Sequence, residues 1–311
     1  MEVKAWTYEE FPEFTEIPEG AGVLETSGDE PGVAYIPDVK YQTEGGMTLR
    51  LQVLIPYCRN DPFDPLLPEQ RRALPCVVYV QGSAWMAQDC YRGVPLLSKL
   101  AARGFVSAIV EYRHSGIAPF PAQAVDARNA VRFLRKNAAV YGIDPERIVL
   151  AGSSSGGHTA LWAAMRQNDG TAEDLYPGVS AAVKGIVDYY GAVSAMPDDG
   201  YPTTLNHHLP DSPEGLEMGR ADLRAHPELR KTLSVECNVG PETPLPPVLI
   251  LHGTKDRTVS TKISVLLYEA LRAAGKDARM YLLRGADHGG AEFWTEPVLD
   301  LVEGFLRECL A

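Results

Sequence analysis

The chain has 311 residues, of which 45% are hydrophobic and 23% are charged, and its formal net charge is −12. These values are ordinary for a globular protein that is large enough to bury a full core. The sequence has no basic patch, which argues against binding to nucleic acid or to an anionic membrane surface. It has no run of about 20 apolar residues, which argues against a membrane-spanning helix.

The first part of the chain is acidic. Nine acidic residues and one basic residue lie within the first 30 positions, which are also rich in proline and glycine. We therefore expect residues 1–34 to form an irregular acidic arm. The start of the chain lacks the basic residues and the apolar run of a signal peptide, which predicts a cytoplasmic protein. Five cysteines without metal-like spacing are typical of free thiols, so we expect no metal and no cofactor.

The remainder of the chain shows a regular succession of strand and helix patterns. Positions 47–55 alternate apolar and polar side chains, which predicts an antiparallel edge strand, and the proline-rich positions 56–75 predict a loop. Short apolar runs predict buried strands at 76–80, 105–110, 147–150, 184–190, 247–251 and 278–283. Helical periodicity predicts helices between them, at 96–103, 122–141, 157–167, 260–274 and 297–310. This alternation predicts an α/β fold with a mostly parallel central sheet and helices on both faces.

One segment interrupts the alternation. Residues 191–246 are rich in Pro, Asp, His and Gly, and only a short helical stretch near 213–230 is predicted within them. A segment of this length inside a compact domain is typical of a binding insertion. We expect a cap at 191–246 over a core made of 35–190 and 247–311, with His207, His208 and Tyr201 as candidate substrate contacts.

The sequence Gly152-Ser153-Ser154-Ser155-Gly156 follows the strand predicted at 147–150 and precedes a helix. This order is the nucleophile elbow of the α/β-hydrolases, a strained turn that presents one serine hydroxyl. Only Ser154 has a glycine two residues before it and another two residues after it. We therefore predict Ser154 as the nucleophile and the backbone N–H of Ser155 as a donor to the oxyanion.

A serine nucleophile requires a base and an orienting carboxylate, which follow it in this fold in the order acid, then histidine. His288 alone among the seven histidines lies on a loop after the last predicted strand, so we predict it as the base. Asp256 lies on the loop after the strand at 247–251 and is the predicted acid. Asp287 adjoins the histidine and could not easily reach its ring. We expect a packing or turn role for His252.

The loop after the first parallel strand should supply further oxyanion donors. It has the sequence Gln81-Gly82-Ser83-Ala84-Trp85, in which the small residues Ser83 and Ala84 are the candidates. Trp85 is predicted to line the acyl or leaving-group pocket, with a buried packing role as the alternative.

With these residues in place, the chain from about residue 76 onward resembles carboxylesterases related to hormone-sensitive lipase. The resemblance is carried by the segments 111–113, 119–122, 126–128 and 141–148. The usual His-Gly-Gly-Gly motif is replaced by the residues 81–85. This departure and the segment 286–294 are more similar to the bacterial acetyl-xylan and feruloyl esterase branch. The resemblance implies hydrolysis of acetyl or hydroxycinnamoyl esters on plant cell-wall carbohydrate. We interpret Arg113 and Asp126 as a structural ion pair.

The leading hypothesis is a serine carboxylesterase with an acyl-enzyme intermediate and a small-molecule or oligosaccharide ester as substrate. A serine peptidase or an arylformamidase would use the same three residues. A receptor that binds a ligand without turnover is an alternative of a different class, although the complete set of Ser, Asp and His argues against it. The sequence leaves the oligomeric state and the identity of the ester open.

Overall fold

The computed structural model describes residues 3–61, 67, 71–197 and 202–311. Within them, eight strands form one sheet in the order β1-β2-β4-β3-β5-β6-β7-β8. The strands are β1 Gly32–Glu44, β2 Met47–Tyr57, β3 Leu74–Val80, β4 Val106–Val110, β5 Ile143–Ser153, β6 Ile186–Tyr189, β7 Val248–Gly253 and β8 Ala278–Leu283. The pairs β1/β2 and β2/β4 are antiparallel and the remaining pairs are parallel. The predicted α/β fold class is confirmed.

Helices cover both faces of the sheet. Side chains of α2, α4 and α7 pack in one apolar cluster, and those of α1 and α8 pack in another on the opposite face. The helices are α1 Val94–Ala101, α2 Ala122–Lys136, α3 Ala138–Tyr141, α4 Ser155–Met165, α5 Pro213–Glu217, α6 Pro227–Leu233, α7 Thr261–Ala273 and α8 Glu296–Cys309. Because both faces are covered, the central strands are continuously apolar: Val78 of β3 joins the first cluster and Val77 the second.

The structure corrects the expected position of the second strand. The strand predicted at 47–55 is not an edge, because β1 pairs along its outer side and β4 pairs along the other. β1 itself was not predicted. It begins at Gly32, so the last residues of the expected arm belong to the sheet. Its pairing with β2 is irregular between Ile36 and Val39, around Pro37, which has no N–H to donate.

Two predicted helices are divided in the structure. The helix expected at 122–141 is interrupted at Asn137, which has φ −107° and ψ 24° and donates its side-chain amide to the carbonyl of Phe133. Such a local side-chain hydrogen bond competes with the continuing helix. The helical stretch expected near 213–230 is two short helices, α5 and α6.

A buried ion pair joins the end of β4 to α2, as expected. Arg113 and Asp126 are 3% and 0% exposed, and the guanidinium Nε lies 2.9 Å from the carboxylate Oδ2. The backbone N–H of Arg113 donates to the same oxygen over 2.9 Å. Burial raises the pKa of Asp126 to about 6, against the opposing effect of the Arg113 charge. The pair fixes the start of the chain segment that follows β4.

None of the helices in residues 3–61, 67, 71–197 and 202–311 combines the length and the apolar character needed to cross a bilayer. The expected cytoplasmic location stays a prediction, as does the division of the chain into arm, core and cap.

Candidate active site

The turn between β5 and α4 holds Ser154 in a strained conformation, with φ 53° and ψ −128°. A non-glycine residue rarely adopts a positive φ, and such outliers cluster at functional sites. The flanking glycines are required by close approach. A Cβ on Gly152 would lie 2.2 Å from the carbonyl oxygen of Gly156, and a Cβ on Gly156 would lie 2.0 Å from that of Val80. The turn therefore has the geometry of a nucleophile elbow.

The structure brings Ser154 and two other predicted residues into one hydrogen-bonded chain. The Nε2 atom of His288 lies 2.8 Å from the Oγ atom of Ser154. Its Nδ1 atom lies 2.7 Å from the Oδ2 atom of Asp256. The three residues follow β5, β8 and β7, at the carboxyl edge of the parallel sheet, where such sheets bind ligands.

Asp256 accepts hydrogen bonds on both carboxylate oxygens. Its Oδ1 atom accepts the backbone N–H groups of Thr258 and Val259, over 2.9 and 2.8 Å. Its Oδ2 atom is shared by His288 and His252. Burial disfavours the charged carboxylate, but the hydrogen bonds from His252, His288 and the backbone outweigh burial and hold the pKa of Asp256 well below its ordinary value.

Asp287 lies outside this chain. Its carboxylate pairs with the exposed guanidinium of Arg257 and accepts the backbone N–H of His288 over 2.9 Å. These bonds hold the pKa of Asp287 low, at about 2. Asp287 contacts the backbone of His288, whereas Asp256 contacts its imidazole ring. This geometry favours Asp256 over Asp287 as the carboxylate that orients the base.

Sequence reasoning missed the contact made by His252. Its ring is fully buried at the end of β7, and its Nε2 atom lies 3.0 Å from Oδ2 of Asp256. The expected packing or turn role therefore describes its burial but not its hydrogen bond. The available signal was the spacing, because His252 precedes Asp256 by four residues on the same strand and loop.

The predicted oxyanion donors are not equivalent. The backbone N–H of Ser83 donates to the Oγ atom of Ser155 over 3.0 Å. Because this N–H is already engaged, the structure argues against the predicted role of Ser83 as a donor to the oxyanion. Ser155 is the first residue of α4, where a backbone N–H has no acceptor within the helix. Ala84 is partly exposed and has φ 54°, in a sharply curled loop. Ser155 and Ala84 are therefore the remaining candidates.

The loop 81–85 passes directly over the elbow. The backbone N–H of Gly82 donates to the Oγ atom of Ser153 over 3.1 Å. A Cβ on Gly82 would lie 2.7 Å from the Cβ of Ser154 and 2.4 Å from the carbonyl oxygen of Ser153. Only glycine fits at this position without a shift of the elbow. A displacement of this loop would therefore also displace the turn that carries Ser154.

The structure does not place the predicted substrate contacts in an open pocket. Trp85 is 1% exposed and packs edge-on against His158, with ring centroids 5.2 Å apart, which corresponds to the packing alternative. His207 hydrogen-bonds to the Glu214 carboxylate and the Thr258 carbonyl. His208 hydrogen-bonds to the carbonyl of Ala195. The rings of both histidines thus have hydrogen-bond partners within the protein. Tyr201 lies outside the described residues.

A cavity of about 540 Å³ lies beside the loop that carries Asp256. It is lined by residues 202–204 and 254–257 with Gly285 and Asp287. Within the described part of the chain, no three His, Cys, Asp or Glu side chains are arranged to hold a metal ion.

Comparison with known proteins gives consistent matches. The BD-FAE family matches residues 63–271. Esterase LipQ of Mycobacterium tuberculosis is 31% identical over 78% of this chain, which spans 57% of LipQ, little more than half of its length. A truncated form of a carbohydrate esterase from gut microbiota has a TM-score of 0.71 at 26% identity, over 91% of this chain and 98% of that chain.

A third similar protein is an esterase whose structure was solved after chemical modification. Thermogutta terrifontis esterase 2 phosphonylated by sarin has a TM-score of 0.67 at 25% identity, over 90% of this chain and 95% of that chain. The resemblance inferred from the sequence motifs is confirmed by the family and structure matches.

Proposed function

Because the chain belongs to the BD-FAE family of α/β-hydrolases, we propose that it is a serine carboxylesterase. The observation that carries this proposal is the hydrogen-bonded chain from Ser154 through His288 to Asp256. A hydroxyl next to an imidazole whose other nitrogen is held by a carboxylate is arranged for nucleophilic attack on a carbonyl. The names of the related esterases support this activity.

In the proposed reaction, the Oγ atom of Ser154 attacks the ester carbonyl while the Nε2 atom of His288 takes its proton. The Asp256 carboxylate stabilises the imidazolium that forms. The backbone N–H groups of Ser155 and Ala84 stabilise the negative charge on the carbonyl oxygen. The imidazolium then protonates the departing alcohol. Water, deprotonated by the same imidazole, releases the acid from the acyl-serine.

We propose short acyl or hydroxycinnamoyl esters of plant cell-wall carbohydrate as the substrates. The likeness to a carbohydrate esterase from gut microbiota supports this class, as does the resemblance of residues 81–85 and 286–294 to the acetyl-xylan and feruloyl esterase branch. The oxyanion site would serve any of these esters, since it contacts only the carbonyl oxygen.

The nucleophile is tested by comparing Ser154→Ala with Ser153→Ala in p-nitrophenyl acetate hydrolysis. We expect Ser154→Ala to lose at least about 10⁴-fold in kcat, which is the order expected when a nucleophile of this kind is removed. Ser153→Ala keeps the hydroxyl of Ser154 but removes the acceptor of the Gly82 N–H, so we expect a much smaller loss than in Ser154→Ala. Unchanged hydrolysis by Ser154→Ala would refute the mechanism.

The substrate class is tested with a panel of acetylated xylan oligosaccharides, methyl ferulate and p-nitrophenyl esters of several chain lengths. We expect the highest kcat/KM on an acetylated oligosaccharide or on methyl ferulate. Faster hydrolysis of amino-acid arylamides would indicate a peptidase, and faster hydrolysis of N-formyl arylamines would indicate an arylformamidase. Saturable binding without turnover would indicate a receptor.

A further inference from the structure

Asp256 is contacted by two histidines rather than one. His288 and His252 both lie within hydrogen-bond distance of the same oxygen, Oδ2, at 2.7 and 3.0 Å. His252 is in turn 2.7 Å from the Oγ atom of Ser264, a fully buried residue of α7. The order of side chains from one end to the other is therefore serine, histidine, aspartate, histidine, serine.

The neighbours of His252 determine which ring nitrogen carries its proton. Its Nε2 atom faces the Asp256 carboxylate and the carbonyl oxygen of Val259, at 3.0 and 3.1 Å. Both are acceptors, so Nε2 carries the hydrogen and donates it. In the neutral ring, Nδ1 then accepts the hydroxyl hydrogen of Ser264. The two acceptors at Nε2 thus fix the tautomer of His252, and the Ser264 hydroxyl, which can donate or accept, holds the ring from its other nitrogen.

The Asp256 carboxylate depends on these donors because water cannot reach it. The side chains of Asp256 and His252 are both 0% exposed. A buried carboxylate requires hydrogen bonds from the protein to remain charged and oriented. The backbone donors bind Oδ1, so His252 is the donor that holds Oδ2 besides His288 itself.

We propose that His252, oriented by Ser264, is a positioning residue for the esterase reaction: it holds Oδ2 of Asp256 in line with Nδ1 of His288. This inference rests on the proposed function. His252 does not touch the reacting atoms and acts through Asp256. Its loss lets the carboxylate rotate about its Oδ1 bonds, which weakens its hold on the His288 ring. The acylation step then slows, whereas ester binding, which does not use Asp256, remains the same.

The test uses His252→Leu, which removes the donor, and His252→Gln, whose amide nitrogen can donate from the place of Nε2. We expect His252→Leu to lower kcat by about 10- to 100-fold, the range for a lost hydrogen bond to a charged group, with KM within about twofold. His252→Gln should recover most of the loss, and Ser264→Ala should show a smaller decrease in kcat.

Ile263→Val, a conservative change in the core next to Ser264, is the matched control. It should lower the Tm without changing kcat. A second readout is the low-field proton NMR signal of the hydrogen between His288 and Asp256, which should move in His252→Leu and stay in His252→Gln.

An unchanged kcat in His252→Leu would overturn the proposal, as would a Gln variant no better than Leu despite a folded protein. Absence of esterase activity in the unaltered chain would instead refute the proposed function. In that case the NMR signal alone decides the positioning role.

Discussion

Nδ1 of His288 and Oδ2 of Asp256 lie 2.7 Å apart, although the two residues are separated by 32 positions and follow different strands. The register of β7 on β8 sets this distance, because His252 at the end of β7 pairs beside Leu282 of β8. The two loops that carry Asp256 and His288 therefore leave the sheet side by side. The sheet register brings the two loops together, and the contacts between the loops then orient the imidazole.

A first prediction compares Asp256→Asn with Asp287→Asn. The amide in Asp256→Asn can stabilise the wrong tautomer of His288, and we expect kcat to fall by about 10⁴-fold. Asp287 contacts Arg257 and the backbone of His288 but not the His288 ring, so Asp287→Asn should cost less than about tenfold. Both variants are measured for kcat and KM with p-nitrophenyl acetate. Equal losses in the two variants would contradict the assigned geometry.

A second prediction concerns the glycine that passes over the elbow. In Gly82→Ala, the new Cβ would lie 2.4 Å from the carbonyl oxygen of Ser153, so the loop must move away from Ser154. We expect kcat/KM to fall by about 10²-fold, as for a misplacement of about 1 Å in an active site. Gly304→Ala is the control, since among the described residues no atom outside its own stretch of helix lies within 4 Å of a Cβ there. It should leave kcat unchanged, and a similar loss in both variants would refute the link.

A third prediction concerns Asp188 at the end of β6. Burial raises the pKa of Asp188 from 3.8 to about 8, despite the backbone N–H of Gly191. Between these values the folded protein holds a proton that the unfolded chain releases, so stability falls as the pH rises through this window. Asp188→Asn removes this titration. We expect the variant to be more stable than the unaltered protein at about pH 9 and similar to it at about pH 4.

The measurement for Asp188→Asn is urea unfolding across this pH range, with circular dichroism as the signal that monitors the transition. The difference in unfolding free energy between the two proteins should grow steadily with pH. A difference that stays constant from acid to alkaline pH would show that Asp188 does not titrate as described.

A fourth prediction concerns the buried ion pair. Arg113→Met leaves the Asp126 carboxylate buried without its main partner, which we expect to cost about 3–5 kcal/mol of unfolding free energy near neutral pH. The loss should shrink in acid, because Asp126, whose pKa is about 6 even beside Arg113, becomes neutral there. The control is Glu308→Gln, which breaks the exposed pair with Arg279 and should have a much smaller effect. A loss that is independent of pH would argue against this account.

The parts of the fold that could be predicted are those whose local sequence carries the whole signal. The run at 76–80 is apolar at every position because helices cover both faces of β3, and the elbow requires glycines at fixed positions. β1 gave no such signal. Most of its residues are partly or fully exposed, and Pro37 interrupts its pattern. Its pairing depends on β2, which reaches it through a turn with two glycines, Gly45 and Gly46.

The candidate site shows the same limit. The positions of Ser154, Asp256 and His288 follow from the order of strands and loops. The engagement of Ser83 does not, because its partner, the Ser155 hydroxyl, lies 72 positions away and approaches only in the folded chain. The burial of Trp85 likewise depends on contact with His158 of α4. Side-chain partners across such distances cannot be read from a local pattern.

The carbonyl oxygen of Leu233, at the end of α6, accepts two hydrogen bonds from α4. The Nε2 atom of His158 lies 2.8 Å from it and the Nε1 atom of Trp162 lies 3.2 Å from it. Burial lowers the pKa of His158 to about 4, so the ring is neutral and Nε2 carries its proton toward this carbonyl at physiological pH. α4 also begins directly after Ser154. The end of α6 is therefore anchored to the helix that carries the nucleophile, and a hinged opening at this point would have to break both bonds.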